Sequence, residues 1–155
     1  HATAPANPAP TAETHATLES LELERLHPHR VRCRVTLNAE GRTLTGQAEL
    51  MDRPGAGLDA AARAVLHALD TARTHAPIEF EGVREVEIAG RPYVIAAART
   101  FHGRELRFLA GAAAIDDTPE DAAALAALQA VLTPISNPSR HGTRLQPVQT
   151  GRTPT

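Results

Sequence analysis

The sequence predicts an α+β domain of order ββα-βββα, with one antiparallel sheet, two helices on one face of it and an internal duplication. Three observations carry that prediction. Apolar residues alternate with period two in several segments, as half-buried strands require. Two other segments repeat apolar residues at helical spacing. Residue patterns of the first half return in the second.

Residues 1–19 open on HATAPANPAPTAETHAT, rich in Ala, Pro and Thr without period, and read as a disordered tail. The folded domain is expected over 20–135, and 136–155 read as a second, basic tail. Within the domain, Val31, Cys33, Val35 and Leu37 alternate with Arg30, Arg32, Arg34 and Thr36. Asn38-Ala39-Glu40-Gly41 is turn chemistry, and Thr43 to Leu50 resumes the alternation with Leu44, Gly46, Ala48 and Leu50 inward. After Pro54-Gly55, a helix is expected from about Leu58 to Thr74, with Leu58, Ala62, Val65, Leu66, Leu69 and Ala72 as its buried stripe. A strand follows from Glu79 to Ala89, with Val86 and Ile88 expected inward. Tyr93–Phe101 and Glu105–Ile115 form a hairpin whose middles, Ala96-Ala97-Ala98 and Ala110 to Ala114, are apolar on both faces. Such strands need cover on both sides. Thr118 as N-cap, Pro119 at the first helical position and Glu120-Asp121 in the first turn start the last helix, which buries Leu125, Leu128, Val131 and Leu132.

The duplication rests on Gly41-Arg42-Thr43-Leu44, Gly46-Gln47-Ala48-Glu49-Leu50 and Asp59-Ala60-Ala61. Their counterparts are Gly103-Arg104-Glu105-Leu106, Gly111-Ala112-Ala113-Ala114-Ile115 and Asp121-Ala122-Ala123. The Gly-Arg pairs and the Asp-Ala-Ala triplets each lie 62 residues apart. The hairpin Val35-Thr36-Leu37 to Gly41-Arg42, Gly46-Gln47-Ala48 and the Asp59-Ala60-Ala61 helix start together resemble the duplicated strand–helix regulatory domain of 2-isopropylmalate synthases. That resemblance implies a domain that pairs subunits and binds an end-product amino acid between its repeats. Pro54-Gly55-Ala56-Gly57 stands where that family has a Gly-Pro-Val type helix start, and the family's catalytic barrel has no counterpart here. A small α/β domain family of high-GC bacteria fits the same pattern.

The net charge is -2, every basic side chain is Arg, and the body is nearly neutral between an acidic head and a basic end. Bulk charge therefore does not recruit nucleic acid. Cys33 is the single cysteine, so no intrachain disulfide forms. No apolar run reaches about 18 residues, so no membrane partner is expected. A chain opening on His1 reads as a fragment or a processed product, with a cytoplasmic location as the default.

Catalytic residues, a metal site and a cofactor are not expected. His27-Pro28-His29 lacks further ligands for zinc. His67 reads as an exposed helix position, Cys33 as a buried thiol, and Ser20, Ser136 and Ser139 lack a nucleophile-elbow setting. Asp116-Asp117 read as helix-capping acids. The candidate ligand residues are Gly55 and Gly57, whose helix start presents N–H groups, and Arg104. The leading expectation is a non-enzymatic regulatory or assembly module that forms a homodimer and binds a small ligand between its repeats. An alternative is a nucleic-acid-associated protein that uses Arg30, Arg32, Arg34, Arg42, Arg99 and Arg107 with the basic tail. A further alternative is a small enzyme uniting His102, Arg104 and Tyr93 at one hairpin end.

Overall fold

The computed structural model describes residues 15–72 and 77–132. The expectations of tails at 1–14 and 136–155 lie outside the described residues. The chain runs β1 (Ala16–Leu26), β2 (Arg30–Ala39), β3 (Arg42–Met51), α1 (Ala56–Asp70), β4 (Ile78–Ile88), β5 (Arg91–His102), β6 (Glu105–Ala114) and α2 (Pro119–Leu132). The fold is α+β and consists of one unit, βββα, used twice.

The extra strand is β1, which carries residues 16–19 out of the expected tail and into the sheet. It escapes the alternation rule because the ladder slips between Leu18 and Ser20, leaving Glu19 as a bulge. Leu18 and Leu21 both pair with inward-facing residues of β2, Leu37 and Val35, although they are three apart. The ladder of β4 slips at the equivalent place, between Phe80 and Gly82. The bulge reverses the expected parity beyond it. Val83 and Glu85 pair with the inward Ala96 and Val94, while Val86 pairs with the outward Tyr93 and Ile88 is exposed.

The expected single sheet is two three-stranded antiparallel sheets, β1-β2-β3 and β4-β5-β6. Each meander hydrogen-bonds within its own unit and then hands the chain to its own helix. Helices, rather than a ladder, join the units: α1 packs on α2, α1 touches β4 and α2 touches β1. Arg63 of α1 lies over the Phe80 ring of β4, 4.7 Å from its centroid, and fixes one of these joints.

One core serves both units. Val31, Cys33, Val35 and Leu37 line the inner face of β2, and Val94, Ala96 and Ala98 the matching positions of β5. Each fully buried Val or Leu contributes about 1.5–3 kcal/mol. Alanines do most of the helix packing, including Ala60, Ala61, Ala64 and Ala68 in α1 and Ala122, Ala123, Ala126 and Ala130 in α2. Helix α2 is covered nearly all round, so the expected stripe is corrected: Leu125 is exposed while the alanines are buried. Its start is as expected, with Thr118 Oγ1 accepting from the Asp121 N–H at 3.1 Å.

The small side chains matter most at Gly46 and Gly111. A Cβ at Gly46 would run into the backbone of Ala64 and Ala68; one at Gly111 would run into that of Ala126 and Ala130. The helix therefore lies on the sheet at the same point in both units.

Candidate functional site

The two sheets turn very different outer faces away from the helices. On the first, rows run across β1, β2 and β3 as Ser20–Thr36–Thr45, Glu22–Arg34–Gln47 and Glu24–Arg32–Glu49. Arg30 bonds Glu49 at 2.7 Å, Arg32 lies 3.3 Å from Glu24 and 3.5 Å from Glu49, and Arg34 donates to Gln47 at 3.4 Å. The Arg30 hydrogen bond, with Arg32 nearby, holds the Glu49 carboxyl below its usual range. Among the side chains of this face, three arginines meet three glutamates, and the face is neutral.

On the second sheet the same rows read Gly82–Ala97–Ala110, Arg84–Ile95–Ala112 and Val86–Tyr93–Ala114. Phe101 and Phe108 are 57% and 70% exposed toward the hairpin end, and Ile95 is 37% exposed at mid-strand. Arg99 closes this face with Glu79 at 2.6 Å and Glu81 at 3.1 Å. The Glu79 hydrogen bond raises the Arg99 pKa above its usual value.

A cavity of about 520 Å³ opens where the first unit meets the second. From β1 come Leu18, Glu19, Ser20 and Leu21. From the end of β6 and the start of α2 come Ala114, Asp116, Asp117, Thr118, Asp121, Ala122 and Leu125. The pseudo-symmetry accounts for the space. Leu18 and Leu125 occupy the positions that Phe80 and Arg63 occupy at the other joint, where ring and guanidinium stack. Two leucines fill less volume than that pair. The walls carry four carboxylates above a floor of Leu and Ala. A second, shallower hollow of about 440 Å³ lies on the first sheet beside His67, Arg34 and Glu22.

The candidate ligand residues are not brought together. Gly55 starts α1 with φ 86°, and Gly57 lies against the Glu120 side chain. A carboxylate thus sits at the helix start where an anion was expected. Arg104 is exposed in the β5–β6 turn, separated from the start of α2 by the whole of β6. The candidate nucleic-acid arginines are dispersed. Arg30, Arg32 and Arg34 lie in the carboxylate lattice of the first sheet, and Arg42 is exposed at its turn. Arg99 and Arg107 are on the second sheet, and Arg107 pairs with Glu105 at 3.3 Å. The enzyme constellation is not assembled either. Tyr93 pairs with Ala114 and His102 with Glu105, at opposite ends of the hairpin.

Burial, with Glu120 and Asp121 adding to it, pushes the Cys33 thiol up to about 12, which removes it as a nucleophile near neutrality. Among the described residues no three His, Cys, Asp or Glu side chains converge to hold a metal ion. Among them too, no helix is long and apolar enough to cross a membrane. Sequence reasoning missed the cavity because half of it belongs to β1; the spacing of Leu18, Leu21 and Leu23 was the available signal.

No protein-family model matches the chain, and no curated protein matches it in sequence.

Proposed function

We propose that the chain is a non-enzymatic regulatory or assembly module that self-associates and binds a small ligand between its two repeats. The cavity at the joint of the units carries this reading, because both units contribute to its walls. A ligand seated there bears on how β1 of one unit packs against α2 of the other. Its carboxylates favour an amine-bearing molecule, and its Leu and Ala floor favours a short apolar body on that amine.

The test is differential scanning fluorimetry with small amines, amino acids and the corresponding carboxylic acids. Binding only to the folded state raises the thermal midpoint as ligand exceeds its dissociation constant. Amines are expected to raise it and carboxylic acids to leave it unchanged. The double variant Glu19→Gln/Asp117→Asn is expected to lose the response while keeping the fold. A flat response to every amine, or a response undiminished in the double variant, sinks the ligand reading.

A further inference from the structure

We infer that the outer face of the second sheet is the surface on which a second copy of this chain packs, face to face about a two-fold axis near Ile95. The inference rests on the self-association reading above and names its surface.

The two units provide an internal control. The same backbone, with the same bulge and the same helix on its inner side, carries polar rows on one outer face and apolar rows on the other. Arg34 is replaced by Ile95, Gln47 by Ala112 and Thr45 by Ala110. Folding of the unit does not require apolar residues there, since the first unit folds with charged ones. An apolar sheet face left open to water is disfavoured, and its usual resolution is a partner.

The occupant follows from size, shape and charge. Strands of 10–12 residues in a three-stranded sheet present a face of roughly 14 Å by 33 Å. Two such faces together remove roughly 1,000 Å² of surface, which reaches the lower bound for a specific interface. A flat, alanine-lined sheet is complementary to itself at the ~10 Å spacing of stacked sheets. Its one central guanidinium-bearing neighbour row, at Arg99, is already neutralised by Glu79 and Glu81, so the face offers no charge to a strongly charged partner. The chain's other segments do not supply a cover. Residues 1–14 contain no large apolar side chain, and 133–155 contain only Ile135, Leu145 and Val148. A closed two-fold pair also puts the mid-strand Ile95 of both copies at the centre, where hot-spot residues concentrate.

The experiment is sedimentation velocity of the full chain across the micromolar range, with a charge-exchange pair at Ile95. The wild type is expected to dimerise. Ile95→Glu and Ile95→Arg are each expected to raise the dissociation constant by at least ~30-fold, the size of a hot-spot loss. An equimolar mixture of the two is expected to recover the dimer, because only a two-fold contact places the exchanged charges opposite one another. Arg34→Gln, at the equivalent place on the first sheet, is expected to dimerise as the wild type does. Circular dichroism checks that each variant folds, and Ala112→Glu repeats the test at a neighbouring position. A wild type dimer that persists in Ile95→Glu and Ala112→Glu overturns this surface but leaves self-association standing. A wild type that stays monomeric overturns both, as does a monomer that binds single-stranded oligonucleotide through Phe101 and Phe108.

Discussion

The imidazole of His67 reaches from α1 over the edge of β3, where its Nδ1 accepts a 3.1 Å hydrogen bond from the backbone N–H of Gln47. In the second unit Gln129 Oε1 accepts a 2.7 Å bond from the N–H of Ala112. The two pairs are equivalent and flank Gly46 and Gly111, where the helix backbone touches the strand. Helix and edge strand are thus clasped at one point per unit, and the clasp occupies an edge N–H that would otherwise be open to a foreign strand.

The first prediction concerns the acceptor. His67→Gln keeps one, as Gln129 shows, and is expected to leave stability unchanged. His67→Leu leaves the edge N–H to solvent and is expected to cost about 1 kcal/mol. Urea unfolding of both variants checks this, and equal losses would show that imidazole packing, not the hydrogen bond, holds the edge.

The close approach beneath the clasp gives the second prediction. Gly46→Ala and Gly111→Ala each drive a methyl into helix backbone. Backbone cannot swing aside as a side chain tip can, so a loss of about 3 kcal/mol is expected, the upper end of ordinary overpacking. Chemical denaturation measures it. A loss below about 1 kcal/mol would mean that the helix stands further from the sheet than described.

Cys33 gives a pH signature. Its thiol pKa is raised from 9.0 to about 12 in the folded protein. A raised folded-state value contributes stability that is intact below the unfolded pKa and lost above it, because the unfolded chain releases the proton first. Stability is therefore expected to fall by about 1.4 kcal/mol per pH unit from near pH 9 toward 12. Cys33→Ala, compared over that window, should lose this slope while being less stable at neutral pH. A thiol reagent should label native Cys33 only as fast as the protein opens. Parallel pH slopes in the two proteins would contradict the assignment.

What the sequence discloses follows period two closely. Val31 to Leu37 and Leu44 to Leu50 place their inward residues correctly, and the Ala-rich strands of the second half announce a sheet face without polar side chains. The bulges at Glu19 and Glu81 hide what period two cannot carry: β1 disappears into the tail, and Val86 and Ile88 take the wrong side. The joint cavity disappears with β1. The clasp is hidden for another reason. The strand offset between units is 65 and the helix offset 62, so His67 and Gln129 align with Gln47 and Ala112 only after packing brings each helix onto its own edge.

The last prediction transfers one row between units. Glu22→Arg/Arg34→Ile/Gln47→Ala gives the first sheet the row Arg84–Ile95–Ala112 of the second. The ion pairs lost are exposed and each worth about 1 kcal/mol or less. The triple variant is therefore expected to fold with a urea midpoint close to that of the wild type. It should also gain association, since its first sheet now presents part of the apolar surface that the second sheet presents throughout. Sedimentation should then show species larger than the wild type forms. Loss of folding would mean that the polar rows of the first unit are structural, and the comparison that isolates the second face as a binding surface would lose its control.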